Sequence, residues 1–501
     1  MLFRPDRHDF RLIGFYTGKV LFGVGLAMIL PLVVAVVLGE TNDAYGFAIG
    51  VALAVLVGRA TEVFLYTRAQ LQTSHGLASV ALSWMLAPFF AAVPLLLSGH
   101  YASYLDAYFE AMSGFATIGL TLANDLDHMT RSVNLWRHLM QFLGGQGIVV
   151  VVLTIFASAG TRVSTLYTGE GREEKIVPNV VRTARFIWRV ALIYALLGTV
   201  FLTAALLLAG LPPATAIYHG INLFMAAFDT GGFAPQSANV AFYRSPLVEA
   251  VLLPIMLAGA CSFALHFQLW RGRHQELYRN IETRVFALSV TGLFVIMAVG
   301  LARGGTFVEA PPLFRHGFFQ LISAHTTTGL STVPGRLFVT DWGVLAPAMI
   351  VTAMAIGGMA GSTAGGIKGI RIGLIAKSLR RDIRKVLLPE NAEIIETFHS
   401  TSRRPLRDDQ VRAAATVLLL WLLLYLGGGL LGLFYGYDLQ TALFESVAAA
   451  SSGGLSVGLV RPDLEWPLKV TYTAQMMIGR LEFVAVFALA GYLVAIVRGR
   501  V

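Results

Sequence analysis

The chain has 501 residues, 56% of them hydrophobic and only 13% charged, with a mean hydropathy of +0.67. That balance excludes an ordinary soluble domain and points to a polytopic membrane protein. The formal net charge of +9 could suggest nucleic acid, but the basic residues sit in short loops between apolar runs, where retention on the cytoplasmic side of a membrane accounts for them.

A membrane-spanning helix needs about 20 apolar residues. Two such runs come first, at 14–38 and 45–66, and read as a hairpin; no small-residue cleavage site follows the first, so no cleavable signal is expected. The rest divides into four similar units, each a span, a short re-entrant helix, a filter-like segment and a second span. Boundaries are expected at 1–70 for the hairpin and 71–170, 171–275, 276–395 and 396–501 for the units. Their paired spans read at 77–97 and 136–157, 186–209 and 247–270, 285–301 and 342–375, and 411–435 and 472–497. The total is roughly ten spans with four half-helices. Cys261, the single cysteine, lies in one of the apolar runs, so disulfide frameworks and cysteine-based metal sites are excluded.

The re-entrant segments carry the chemistry. AHTTTGLS, Ala324 to Ser331, follows an apolar run at 313–322 that is too short to span a bilayer. Three threonines and a glycine make a poor membrane helix but suit an extended backbone whose carbonyls replace the water shell of a cation. The pattern recurs: ATIGLT from Ala116, DTGGFA from Asp229, TTTGLS from Thr326 and SSGGLS from Ser451. The aligned glycines are Gly119, Gly232, Gly329 and Gly454, roughly a hundred residues apart, with Gly453 an alternative in the last copy. The filter residues read from this alignment are Thr117, Ile118, Gly119, Thr230, Gly231, Gly232, Thr327, Thr328, Gly329, Ser452, Gly453 and Gly454. HGINLF at His219 and HGFFQL at His316 open the approach in units two and three, and Phe-Glu pairs at Glu110 and Glu445 stand at matching positions in units one and four. Four quasi-repeats imply fourfold pseudosymmetry around one pore.

Cations cluster at the N-terminus (Arg4, Arg7, Arg11, Lys19) and in every inter-repeat linker. The first two linkers carry Arg162, Arg172, Lys175, Arg182, Arg185 and Arg189, then Arg271, Arg273, Arg279 and Arg284. The third carries Lys377, Arg380, Arg381, Arg384, Lys385, Arg403, Arg404 and Arg407, and the tail ends in Arg498 and Arg500. The opposite loops hold acids: Glu40, Asp43, Asp125, Asp127, Asp438, Asp463 and Glu465. Both termini and the linkers are therefore expected in the cytoplasm, and the filters enter from outside. A half-helix entering that way points its carbonyl end at the membrane centre, a field that favours cations.

Within the third unit, GGMAGSTAGG (Gly357 to Gly366) interrupts an apolar span. It reads either as a close helix-packing site or, preferred, as an unwound gate beneath the filter, through Gly357, Gly358, Gly361, Ser362, Thr363, Gly365 and Gly366. Lys368, Arg371 and Lys377 follow and are expected to snorkel. Arg480 lies inside the last span, where an ionisable residue is costly. It is either an ion-pair partner of Glu482 or Glu445 or a fixed charge near the pore, and both can hold. Glu110 and Glu445 are expected to anchor the filters, and His219 and His316 to be structural. Asp229 is either a hydrogen-bond acceptor for backbone amides behind the filter or an ion-attracting carboxylate.

These residues resemble the TrkH/KtrB superfamily of potassium-transporting subunits, which includes the HKT transporters. The specific pieces are LWRHLMQFLGGQGIVVV (Leu135 to Val151), TTTGLS, GGMAGSTAGGIK (Gly357 to Lys368) and GRLE (Gly479 to Glu482), and the N-terminal hairpin matches the TrkH branch. The resemblance implies an all-α integral membrane protein with four span–pore helix–span repeats around one ion pore. It also implies K⁺ as the transported ion, a lipid-embedded homodimer in the inner membrane, and a cytosolic nucleotide-binding regulator of the TrkA/KtrA type. No cofactor is expected in the chain itself. Two departures stand out: SSGGLS replaces the usual Asn-rich segment ending Gly-Pro-Gly, and Asp229 stands where a small hydroxyl residue is usual. The rival readings are an HKT-like sodium or mixed transporter, whose sodium-selective members carry serine at the position of Gly119, and a membrane enzyme acting on lipid-linked substrates. The enzyme would need a convergent set of carboxylates, histidines or a metal motif, and the sequence offers none.

Overall fold

The structure is a computed structural model describing residues 5–67, 69, 71–147, 180–307, 309–389 and 394–498. The end of the first repeat's second span, the linker cations Arg162, Arg172 and Lys175, and Arg4 and Arg500 lie outside the described residues.

Two N-terminal helices, Arg7–Leu38 with a slight break at Met28 and Thr41–Phe64, pack closely through small residues. A Cβ on Gly58 would meet the Phe22 amide nitrogen at 2.5 Å, and one on Gly18 the Gly58 carbonyl oxygen at 2.8 Å. Such backbone approach supplies the van der Waals contact that joins helices where lipid gives no hydrophobic drive.

Four units follow. The first has span Thr73–Leu97, pore helix Tyr104–Phe115 and helix Arg131–Gln146. The second has Val180–Leu208, Pro213–Phe228 and Pro246–Ala260, then Phe263–Trp270. The third has Ile281–Arg303, a pore helix ending in Phe319–His325, then Leu345–Ile356 and Gly369–Leu387 on either side of the glycine loop. The fourth has Asp408–Phe434, Leu439–Ala450 and Trp466–Arg480, then Val484–Val497. A short antiparallel hairpin, Thr397–His399 with Arg403–Pro405, lies in the third linker.

Among the described residues, six helices are long and apolar enough to cross a membrane, or eight when each bent pair counts as one span. The two other expected spans are the second spans of units one and three, whose described helices are Arg131–Gln146 and Leu345–Ile356. Leucine, valine and phenylalanine face outward along the spans (Leu192, Leu196, Val200 and Phe201 on one of them), a surface suited to lipid rather than water.

One expectation needs correction. The apolar runs at 247–270 and 472–497 read as continuous spans, but the chain turns by 102° after Ala260 and by 114° after Arg480. Packing explains the sites of the breaks. Gly144, Gly259 and Gly479 lie so close to the last carbonyls of the pore helices, at Phe115, Phe228 and Ala450, that a Cβ on any of them would collide with those oxygens. The second spans of units two and four thus close on the ends of their own pore helices and turn aside immediately below them.

Candidate functional site

Every pore helix ends in the same way. The hydroxyl residues Thr117, Thr230, Thr327 and Ser452 are left-handed (φ +53°, +49°, +54° and +57°). Two residues on, Gly119, Gly232, Gly329 and Gly454 have φ of +94°, +75°, +82° and +64°. Between them, the amides of Ile118, Gly231, Thr328 and Gly453 donate to the carbonyls of Ser113, Ala226, Ser323 and Ala448 at 2.8, 2.8, 2.8 and 2.9 Å. This is the Schellman ending of a helix, in which glycine usually takes the left-handed position. A side chain there costs on the order of 1 kcal/mol, so four hydroxyl residues at that position indicate a use for the hydroxyl. A regular strand sends successive carbonyls to opposite sides, whereas left-handed residues two apart bring them to one side, the geometry of a cation filter. The same pattern fixes the fourth register: Gly454 is the aligned glycine and Gly453 the residue between.

The four segments form a closed ring. A Cβ on Gly119 would meet the Gly231 carbonyl oxygen at 2.5 Å, and one on Gly232 would meet Gly329 at 3.1 Å. A Cβ on Gly329 would meet Gly454 at 2.7 Å, and one on Gly454 the Ile118 carbonyl carbon at 3.1 Å. Contact therefore passes from repeat one to two, three, four and back to one.

Buried polar groups hold the ring from behind. Glu110 accepts from the Thr121 hydroxyl at 2.9 Å and the Leu122 amide at 3.0 Å; Glu445 accepts from the Ser456 hydroxyl at 2.6 Å and the Val457 amide at 2.9 Å. These anchors bear on the segments leaving the filter, as the matched Phe-Glu pairs suggested. Arg137 Nε lies 2.7 Å from Glu110 with both side chains fully buried, and its guanidinium sits 4.0 Å from the Phe233 ring centre. A buried pair of this kind holds only because further hydrogen bonds complete it; here Asn134 Oδ1 accepts from Arg137 at 3.0 Å. Asp229 is fully buried and accepts from the side-chain amide of Gln146 at 2.7 Å, a side-chain partner where backbone amides were expected.

Sequence reasoning missed three supports. Gln141 donates to the Gly231 carbonyl. Gln320, in the repeat-three position matching Glu110 and Glu445, bonds the Ser331 hydroxyl at 2.6 Å. Asn239 accepts from the Ser331 amide at 3.0 Å. A signal existed for Gln320, which stands eleven residues before Ser331 as Glu110 does before Thr121. His219 bonds the Tyr243 hydroxyl at 2.9 Å and His316 the Thr332 hydroxyl at 3.1 Å, both structural contacts.

The glycine loop lies against the left-handed turns of the ring. Helix Leu345–Ile356 stops at Gly357 (φ +73°), and the Gly358 amide donates to the Gly365 carbonyl at 3.3 Å, folding the loop on itself. Ser362 donates to the Met359 carbonyl at 2.6 Å. The Thr363 hydroxyl donates to the carbonyls of Phe228 and Gly259 at 3.0 and 2.9 Å, and Thr230 Oγ1 lies 3.3 Å from it. The Gly365 amide donates to the Thr327 hydroxyl at 2.8 Å, and a Cβ on Gly365 would meet Ser452 Cβ at 2.7 Å. Gly366 returns the chain with φ +81°. Arg480 donates to the Thr363 carbonyl at 2.8 Å, the Gly144 carbonyl at 2.6 Å and the Thr117 hydroxyl at 3.3 Å. Loop and arginine together touch the left-handed residue of all four repeats. Of the carboxylates weighed as ion-pair partners for Arg480, Glu482 pairs with Arg371 and Glu445 anchors the fourth filter.

Comparison with known proteins agrees with this architecture. The family model TrkH, described as a cation transport protein, matches residues 46–493. An uncharacterized cation transporter of Methanocaldococcus jannaschii is 30% identical over 97% of this chain and 96% of its own length. The Trk system potassium uptake protein TrkH of Halomonas elongata is also 30% identical, over 94% of this chain and 96% of its own. The crystal structure of the potassium transporter TrkH from Vibrio parahaemolyticus superposes with a TM-score of 0.81 at 24% identity, covering 95% of this chain and 98% of that one.

Proposed function

Because this chain belongs to the TrkH family of cation transport proteins, we propose that it takes up potassium across the cytoplasmic membrane through the ring made by its four repeats. The observation that carries the reading is the fourfold turn, a left-handed hydroxyl residue followed two positions later by a positive-φ glycine, closed into one ring. Glycine at all four corners leaves the contacts between repeats free of Cβ atoms and suits a large, weakly hydrated cation over a small one. The repeats take the bounds 71–170, 171–275, 276–395 and 396–501, and the filter residues are those at 117–119, 230–232, 327–329 and 452–454. The loop 357–366, strapped by Arg480, is the closed gate beneath them.

The distribution of cations supports cytoplasmic termini and linkers. The cytoplasmic docking face for a nucleotide-binding regulator is the end of helix Gly369–Leu387, where Arg380, Arg384 and Lys385 are exposed. Lys377, at 2.9 Å from Glu396, holds that carboxyl below its ordinary range and ties the linker to this helix. The working form is a homodimer with one pore in each protomer. Expression in cells stripped of their own potassium uptake tests the reading: growth on low-potassium medium is expected, and failure of a membrane-inserted protein to restore it overturns the proposal.

A further inference from the structure

We propose that Glu282 is the residue that holds the glycine loop shut from its cytoplasmic side, an inference that rests on reading the loop as the gate. Glu282 is 2% exposed, in the first turn of helix Ile281–Arg303, whose axis belongs to the scaffold rather than to the loop. One oxygen of its carboxylate, Oε1, accepts from the Ala360 amide at 2.7 Å and from the Ile370 amide at 3.2 Å. Of those two amides, Ala360 lies in the loop before its tip, and Ile370 lies past the loop in the first turn of helix Gly369–Leu387. A single anion therefore joins the loop to the start of the following helix, where a negative charge is favoured by the exposed amides and the helix dipole.

The bend of the second unit also holds the loop: the Met359 amide donates to the Ala260 carbonyl and the Phe263 amide to the Gly361 carbonyl, each at 3.1 Å, and Lys368 donates to the Ala364 carbonyl. Further contacts come from above. The Thr363 hydroxyl, the Gly365 amide and Arg480 tie the loop to the filter and the pore-helix ends. Glu282 is the anionic tie from below, and charge-assisted bonds are roughly twice as strong as neutral ones. The space needed for release is present. A Cβ on Gly361 would meet nothing within 4 Å, although the loop on either side is tightly packed. A cavity of about 400 Å³ adjoins it, lined by Ala360, Gly361, Arg371, Phe398, Ala414 and Glu482.

The position of Glu282 is set in turn by the linker hairpin. Asn280 accepts from the Glu282 amide at 2.8 Å and donates to the Ser400 carbonyl at 3.1 Å, in the turn of the hairpin Thr397–Pro405. A force on the cytoplasmic linker thus reaches the loop through Ser400, Asn280 and Glu282, a contiguous set of hydrogen bonds.

Glu282→Gln keeps shape and acceptor but removes the charge. Rubidium flux through the purified, full-length protein in liposomes is expected to rise roughly tenfold, equivalent to about 1.4 kcal/mol, with potassium-over-sodium competition unchanged because the filter is untouched. The same substitution in a variant with a deletion inside 358–366 that removes Ala360 is expected to add nothing, since the tie from Glu282 to the loop is already gone. A purely structural role would lower flux in both backgrounds or blur selectivity. If the deletion raises flux and Glu282→Gln does not, or if Glu282→Gln changes flux equally in both backgrounds, this inference is overturned while the loop reading stands. If the deletion itself leaves flux flat, the gate reading fails and takes the inference with it. Should Glu282→Gln not reach the membrane, Glu282→Asp, which keeps the charge but cannot span both amides, carries the same comparison, with a smaller rise expected.

Discussion

Replacing Gly119 by serine places a Cβ where the first repeat meets the second. That atom would lie 2.5 Å from the Gly231 carbonyl oxygen, about 0.9 Å inside the 3.4 Å at which ordinary contact begins, and 3.0 Å from Gly232. The backbone at Gly119 has φ +94°, outside the comfortable range of any side chain, which adds on the order of 1–3 kcal/mol of strain. Relief requires the second repeat's filter backbone to move by several tenths of an ångström, and a tenfold change in ion preference needs only about 1.4 kcal/mol. The preference for potassium over sodium, read by competition against rubidium uptake in liposomes, is expected to fall roughly tenfold. Gly210→Ser supplies the control: Gly210 has the same φ of +94°, but nothing lies within 4 Å of its Cβ position. That variant carries the strain without the collision and is expected to keep wild-type preference. A folded Gly119→Ser protein with unaltered preference, or an equal loss in Gly210→Ser, would refute the ring.

Thr327→Val keeps the branched shape and removes the hydroxyl that receives the Gly365 amide, so flux is expected to rise severalfold with selectivity largely kept; unchanged flux in liposomes would separate that hydroxyl from the gate. Neutralising Arg380, Arg381, Arg384 and Lys385 together is expected to weaken co-purification with a nucleotide-binding partner. Arg381 already faces Asp408 at 2.8 Å, so the exposed Arg380, Arg384 and Lys385 are expected to account for most of the loss, and full retention of the partner would move the docking face elsewhere. Glu445→Leu leaves the Ser456 hydroxyl and two amides, of Val457 and Leu459, without their acceptor, at a cost of about 1–3 kcal/mol for each buried group. Its thermal unfolding in detergent is expected several degrees below wild type, and an unchanged midpoint would mean that Glu445 is not an anchor.

The recurrence of Thr/Ser-x-Gly was legible because a filter built from backbone tolerates few residue types, and the repeats preserve them in one chain. The register of the fourth copy was not, because Gly453 and Gly454 are chemically identical neighbours; only the left-handed Ser452 and the Gly453 bond to Ala448 separate them. The turns after Ala260 and Arg480 were hidden for a related reason. Lipid permits an unbroken apolar run on both sides of a bend, so hydropathy carries no mark of it, and the cause lies in the contact of Gly259 and Gly479 with carbonyls of another helix. Arg480 could be singled out as costly, but its acceptors, the carbonyls of Thr363 and Gly144, come from two other repeats. Backbone acceptors leave no trace in residue identity. Glu282 was passed over because an acid at the start of a helix is common, and the two amides it serves lie 78 and 88 residues further along the chain.

The central claim is that the four repeats make one potassium-selective pathway. Purified protein in sealed liposomes, loaded with potassium and given external rubidium, tests it most directly when potassium, sodium and lithium are compared as competitors. Uptake above that of protein-free liposomes, suppressed by potassium and barely touched by equal sodium or lithium, is the predicted result. Sodium competing as well as potassium, or uptake no greater than the lipid alone allows, would contradict it.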